Sequence, residues 1–370
     1  PSIPGYSSDA HIHVSSQDQA GNISSSIDRT VPITRTESAT INVIAGDDII
    51  NATEWTGLQN SFIVTGTIAD KNLLSSLFLF VQDANGNDVN VGIGLNNFVN
   101  VTITGNTWTA TLNATNVKDN FKEGNYNFVL KNQVIGGSVI ASRPVTFDKT
   151  PPIAPLIESI VDQVDEHGNV GADTTVTINN GVVHTNDNTP KIQGHAFDSG
   201  STGNIANTIK LYLVVNGTVS ATPFATLPIK ADGSWSYQYT QGLADGTYII
   251  QAVQVDKAGN ISGSTTLNLH VDTQAPILDV NTVANDSSSG IIEIDLKEIS
   301  DGVEVKGHID QISTTITVEI NGKKVIAVVD SNGDWTAKFT STDLFGLNDG
   351  TDYPVKITAV DLAGNQFETT

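Results

Sequence analysis

The stretch ADGSWSYQYTQGLADGTYIIQAVQVDKAGNIS, residues 231–262, carries three landmarks in a row: a Trp after a polar turn, a Tyr after an acidic-Gly turn, and an Asp-x-Ala-Gly-Asn turn. Between them, TYIIQAVQV alternates apolar and polar residues with period two, the pattern of a half-buried strand. Each landmark recurs in the same order elsewhere. The Trp returns in TGNTWTA (Trp108) and SNGDWTA (Trp335), and the Tyr in KEGNY (Tyr126) and NDGTDY (Tyr353). The acidic turn returns at Asp18 and Asp361. Trp235 follows Trp108 by 127 residues and Trp335 follows Trp235 by 100, so the repeat is one small β-domain long, far longer than a solenoid unit.

A fourth landmark separates the units. DRTVP, DKTPP and DTQAP each place an Asp a few residues before a Pro that cannot join a ladder, which suits a short stiff linker. The chain therefore divides into a C-terminal remnant of a preceding domain (1–29) and three full units: 30–149, 150–273 and 274–370, the last with a final strand that is short or missing. KIQGHAF alternates like a strand, and IKLYLVVNG and ITVEING are β-branched runs ending in Asn-Gly, the strongest short hairpin signal. The exception to an all-β reading is NATEWTG, which suits one helical turn. Seven short strands per unit make each an Ig-like β-sandwich, in tandem and arranged as an elongated rod. Each repeated Trp is expected to open a strand and fill the core.

Composition bounds the function. The chain has 370 residues, no Cys and no Met, and a formal net charge of −22 from 40 acidic and 18 basic side chains. No disulfide framework is possible. The acidity repels phosphate backbones and anionic membrane surfaces, and no apolar run is long enough to span a membrane. No charged segment followed by an apolar one marks a secretory signal. The absence of Met, even at position 1, suggests an internal piece of a longer chain.

NDNTPKIQGHAFD, VNG, ADGSWSY, LADGTY and VDKAGN together resemble the bacterial Ig-like domains of giant type I-secreted adhesins, and GDDIINATEW with VTGTIAD resembles another variant of the same domain. The resemblance spans essentially the whole chain. It implies a stalk of many such domains, calcium at the domain junctions, an extracellular place on a bacterial surface, and a role in virulence through adhesion to host cells. Partners would be neighbouring Ig-like domains of the same chain and, outside it, a host-cell glycan or receptor. The molecule is expected to act as a single chain.

In an Ig-like sandwich the linker leaves the bottom of one domain, near its E–F loop, and enters the next at the end that carries the B–C and F–G loops. DKTPP should therefore meet AFDSG and VDKAGN, gathering Asp148, Asp198 and Asp256 with Glu123 nearby. The next junction repeats this with Asp272, Asp310 and Asp361, and Asp245 nearby. The first junction has Asp28 and Asp70 but no F–G aspartate, because NQVIGGS, beginning at Asn132, stands where the other units have the acidic turn. Two carboxylates about 4 Å apart repel by about 1 kcal/mol in water and several times more at lower dielectric. With no matching Lys or Arg in these motifs, a cation is the natural counter-charge. Hard oxygen donors without Cys or clustered His point to Ca²⁺ over Zn²⁺, and Mg²⁺ usually keeps several waters. Turn chemistry alone also places Asp, Asn and Gly there, since Asp and Asn bond their own backbone and Gly supplies φ > 0. Asp47, Asp48 and Glu54 suit either a further site or an N-capped helical turn.

No nucleophile elbow, phosphate loop or His-rich metal motif occurs, and the paired carboxylates sit at linkers rather than in the cleft that glycosidase chemistry needs. His195 and His308 share one repeated strand position, and His11 and His13 alternate on another strand. These residues read as sandwich surface or core. An enzyme is not expected. A non-catalytic glycan-binding module remains the alternative to a spacer, resting on Trp55, the one Trp outside the repeated column.

Overall fold

The computed structural model describes all residues except 1–8, 33–36, 58–60, 70–73, 75, 93–95, 114, 116, 118–119, 165–169, 178–180, 197–206, 284–295, 349–350 and 352. The described residues are nearly all β, in two compact units, Pro1–Lys149 and Thr150–Thr370. Three separate apolar cores lie within them, one in the first unit and two in the second.

The first unit opens with a hairpin, Asp9–Val14 against Ile27–Pro32. A sandwich follows. One sheet runs Ala39–Ile41, Ser61–Ile68, Thr107–Asn113, Thr102–Thr104 in spatial order. The other runs Ile49–Ile50, Val139–Phe147, Gly124–Lys131, Phe78–Gln82, Phe98–Asn100. Its first pair is parallel and the rest are antiparallel. The expected helical turn forms at Ala52–Gly57.

In the second unit, the first sandwich sets Val170–Thr177, Leu156–Val164, Lys191–His195 and Ser234–Gln238 against Val182–Thr185, Ile261–Val271, Gly246–Val255, Thr208–Val215 and Thr218–Val219. The second sandwich sets Leu278–Val283, Val303–Ile309, Asp334–Phe339 and Val328–Val329 against Lys323–Ile326, Thr315–Ile320, Val355–Val360 and Gln366–Thr369. A short helix, Leu296–Asp301, was not legible in the sequence.

The landmarks explain why these strands meet as they do. Trp108, Trp235 and Trp335 each stand at or next to the first residue of a strand and are buried at the centre of their cores. Burying an indole of this size supplies about 4 kcal/mol of transfer free energy. Each ring lies over a glycine of the neighbouring strand: Gly66, Gly194 and Gly307. A Cβ on any of them would fall on the indole and on a backbone carbonyl of the next strand, that of Thr40, Leu156 or Asp279. The glycines are thus required by close approach rather than by φ.

The Tyr column closes the opposite sheet. Tyr126 accepts a hydrogen bond from the Lys122 N–H (2.9 Å), Tyr248 donates to the Ala244 carbonyl (2.8 Å), and Tyr353 accepts from the Asn348 N–H (2.9 Å). Each hydroxyl pins the loop that enters its strand, the arrangement known as a tyrosine corner. Both expected Asn-Gly hairpins form, with Asn216 and Gly217 at φ 50° and 74° and Asn321 and Gly322 at φ 48° and 79°.

The glycine column makes a direct prediction. Gly194→Ala or Gly307→Ala should destabilise its own sandwich by about 2–3 kcal/mol, because overpacking against backbone cannot relax through a side chain. Gly263→Ala, whose new Cβ would meet only Ala154 Cβ at 3.7 Å, should be neutral or slightly stabilising. Urea melts of the three variants decide it, and equal midpoints would overturn the close-approach account.

Candidate metal-binding junction

The Asp-x-Ala-Gly-Asn element is a turn that satisfies itself. At Asp361 the carboxylate Oδ1 accepts the N–H groups of Ala363 (2.8 Å) and Asn365 (2.9 Å), and Oδ2 accepts the Asn365 side-chain amide (2.9 Å). The Asp361 N–H donates back to the Asn365 carbonyl (3.1 Å), and Gly364 takes φ 96°. The Asp256 carboxylate holds Asn260 in the same way, at 2.8 and 2.9 Å. Asp18 repeats it with Ala20 and Asn22, and its side-chain bond from Asn22 is the chief cause of a pKa below the ordinary carboxylate range. The turn chemistry considered from the sequence is therefore real at every copy.

A fourth copy escaped the sequence reading. DANGN, residues 83–87, makes the same bonds, with Asp83 Oδ1 accepting from Asn85 and Asn87 (both 2.9 Å) and Oδ2 from the Asn87 amide (3.2 Å). The signal was available as Gly at the fourth position and Asn at the fifth; the central Ala is dispensable. The copies differ in burial. Asp18 and Asp83 are not buried, whereas Asp256 and Asp361 are 7% and 8% exposed. Among the described residues neither buried aspartate has a Lys, Arg or His ion-pair partner.

Within the second unit the linker 272–276 runs between its two sandwiches. The Asp272 N–H donates to the Thr185 carbonyl (3.0 Å), continuing the parallel pairing of Val182–Thr185 with Val271. The Asp272 carbonyl accepts the Asn365 side-chain amide (2.7 Å), which ties the acidic turn of one sandwich to the exit of the other. Asp245 reaches the same segment: its Oδ1 accepts the Thr273 N–H (3.0 Å) and hydroxyl (2.9 Å), and its Oδ2 accepts the Gln274 amide (3.0 Å). Burial works against ionisation of Asp245, but the bonds from Gln274 and Thr273 prevail and hold its pKa below the ordinary value. Asp310 sits farther along, exchanging two bonds with Ile277: its Oδ1 accepts the Ile277 N–H (2.9 Å) and its own N–H donates to the Ile277 carbonyl (3.2 Å). Asp272 and Asp361 both act electrostatically on His184. One further buried oxygen is unpartnered: Thr314, just before the strand Thr315–Ile320, is 5% exposed, and among the described residues its hydroxyl makes no hydrogen bond.

The remaining candidates fall as follows. In the first unit Glu123 Oε1 accepts the Lys149 N–H (3.2 Å) and the Asp148 N–H donates to the Ile50 carbonyl (3.1 Å), the same frame as Asp245 and Asp272. Asp28 is exposed and bonded to His13 across the opening hairpin. Asp70 and Asp198 lie outside the described residues. Asn132 closes its own loop by accepting the Ser138 N–H (2.9 Å), and its amide donates to the Glu37 carboxylate (2.9 Å), a linker acid the sequence reading did not single out. Asp48 is bound by Arg143 at both oxygens (2.6 Å each), while Asn51 Oδ1 caps the helical turn by accepting the Thr53 and Glu54 N–H groups and the Asn51 N–H donates to Glu54 Oε2 in return. That region is a capped turn and an ion pair. Trp55 is half-buried, with Phe147 against its ring at 86° and Lys149 Nζ 4.2 Å over its face.

For a hard cation, the junction around Asp272 fits in kind: its donors are carboxylate, carbonyl and hydroxyl oxygens. It does not form a closed shell, since among the described residues no three His, Asp or Glu side chains are grouped to hold a metal ion.

Residues 160–273 match the bacterial Ig-like domain family. No curated protein matches the chain. Among solved structures, a 1.5-MDa bacterial ice-binding adhesin aligns at 20% identity over 90% of this chain and 95% of that one, with a TM-score of 0.32. A Ca²⁺-stabilised adhesin with which an Antarctic bacterium binds ice aligns at 21% identity over 96% and 79%, TM-score 0.31. Titin domains I67–I69 align at 10% identity over 90% and 97%, TM-score 0.36.

The Asp48–Arg143 pair predicts a pH signature. The hydrogen bond from Arg143 is the largest cause that lowers the Asp48 pKa; burial opposes it and the Ile44 N–H assists. A depressed folded pKa gives stability that is present above the unfolded value near 4 and lost as pH falls through the folded one. Asp48→Asn should cost the first unit about 2 kcal/mol at pH 7 and flatten its loss of stability below pH ~4. The Trp108 indole N–H signal, followed through acid unfolding of the full chain, reads this out; an unchanged acid limb would exclude the pair as its source.

Proposed function

We propose that the chain is a run of Ig-like spacer domains from the extracellular stalk of a bacterial surface adhesin, stiffened by calcium at domain junctions. The observation that carries the reading is the buried Asp361 turn, tied to the preceding linker through Asn365 and Asp272, with no cationic side chain paired to it among the described residues. Asp272, Asp361 and the Thr314 hydroxyl would hold the ion, with Asp245 and Asp310 flanking. Calcium would supply there the positive charge that offsets the crowded carboxylates. The family match of residues 160–273, the tandem sandwiches and the net charge of −22 all support the reading. The motif set also resembles the giant non-fimbrial Salmonella adhesin SiiE, which implies export by type I secretion, host-cell adhesion and virulence. A chain without Cys, less stable where Ca²⁺ is scarce and more stable outside, suits such export.

The alternative, a glycan-binding module, needs an open aromatic face. Trp55 does not offer one, because Lys149 covers it. We therefore favour the spacer, with any host glycan or receptor contacted elsewhere.

Calcium that binds only the folded form stabilises it by mass action, about 2.7 kcal/mol at a hundredfold excess over Kd. Extracellular sites commonly have Kd of about 10⁻⁴–10⁻³ M. Thermal melts of the purified chain should therefore rise with millimolar Ca²⁺ and fall with excess chelator. Asp361→Asn and Thr314→Val should each reduce the calcium-dependent gain of the last sandwich, whereas Asp83→Asn, in the exposed copy of the turn, should not. Superimposable melts with and without chelator would sink the calcium reading.

A further inference from the structure

Two histidines, chemically different from the junction oxygens, lie near this junction. His184 and His270 are direct partners in the parallel pairing of Val182–Thr185 with Ile261–Val271, and their rings meet with centroids 5.1 Å apart at an interplanar angle of 61°. Thr247, the partner of His270 on the preceding strand, bonds His270 Nδ1 through its hydroxyl (3.0 Å); in the tautomer whose Nδ1–H donates to that hydroxyl, Nε2 is the ligating nitrogen.

We propose that His184 and His270 form a two-imidazole site for a borderline divalent transition metal such as Zn²⁺, with water completing the shell. With metal–nitrogen distances of 2.0–2.1 Å and a ring centroid about 1.2 Å behind the nitrogen, each centroid stands about 3.2 Å from the metal. The observed 5.1 Å lies within the separation of about 6.4 Å that two imidazoles can have at most on one ion. Imidazole nitrogen favours Zn²⁺, Ni²⁺ and Cu²⁺ over the hard cations that carboxylates favour. The Thr247 bond fixes the His270 ring as outer partners of ligating histidines commonly do. Asp272 and Asp361 act on His184 from nearby and favour any positive charge placed there. His195 and His308, by contrast, are bonded to the carboxylates of Glu158 and Asp334, and His13 to Asp28. The site takes different ligands from those of the calcium reading, nitrogens rather than the junction oxygens, so the two can be tested separately.

Zn²⁺ titrated into the metal-stripped full chain, by calorimetry and by imidazole ¹⁵N shifts, tests it. One equivalent should bind saturably, shifting the His184 and His270 signals together. His184→Asn and His270→Gln, each checked for folding by circular dichroism, should weaken binding at least tenfold, whereas His195→Ala should not. Saturating Ca²⁺ and the Asp361→Asn variant, each of which removes part of the nearby negative charge, should weaken Zn²⁺ binding less than either histidine variant does. Wild-type affinity in both histidine variants, absence of saturable binding, or displacement of Zn²⁺ by Ca²⁺ would overturn the proposal.

Discussion

An aspartate that bonds the amides of its own turn is the constraint on which the junction depends. To keep Ala363 and Asn365 in place, Asp361 presents both carboxyl oxygens as acceptors. At Asp18 and Asp83, which are not buried, solvent reaches the carboxyl group and the turn is self-sufficient. Buried at Asp361, the same group keeps only neutral hydrogen-bond donors among the described residues, the arrangement in which burial of a carboxylate is expensive. Whatever packs against it must tolerate or neutralise it. The preceding linker does so only in part, by offering its carbonyl to the Asn365 amide rather than a cation to the carboxylate.

The fold was legible where its causes are local. Trp235, Tyr248 and the Asn-Gly pairs announce themselves because a strand start, a corner and a hairpin turn are each decided by a few neighbouring residues. The glycine column was not legible, although Gly66, Gly194 and Gly307 stand in plain view in the repeats. Their reason is a carbonyl and an indole brought in from distant strands, which only the packed sheet reveals. The strand Val170–Thr177 was equally hidden: it lengthens one sheet through a hairpin that the other units' sequences do not show.

The site divides along the same line. That Asp245 and the turn of Asp361, through Asn365, reach the linker at Asp272 and Thr273 accords with the order of strands in a sandwich, a global rule that sequence landmarks can invoke. Thr314 could not be found that way. It is an ordinary Thr before a strand, and only the packed sandwich shows that its hydroxyl is buried and, among the described residues, unbonded. Glu37 was missed because it acts through its side chain on Asn132 from a linker whose marker had been taken to be Asp28.

The few cations of this acidic chain sharpen the contrast between its carboxylates. Arg143 takes both oxygens of Asp48, and the acids beside the first helix resolve into a cap and an ion pair. Lys149 lies over Trp55, and Lys306 and Lys338 share Glu304 on an exposed sheet face. Exposed pairs such as these contribute at most about 1 kcal/mol each, so placing lysines there does little for stability. A chain selected only for solubility would gain as much by placing one near Asp361. Among the described residues no Lys or Arg pairs with Asp361, and the junction is held instead by the hydrogen bonds that Asp245 and Asn365 make to the linker.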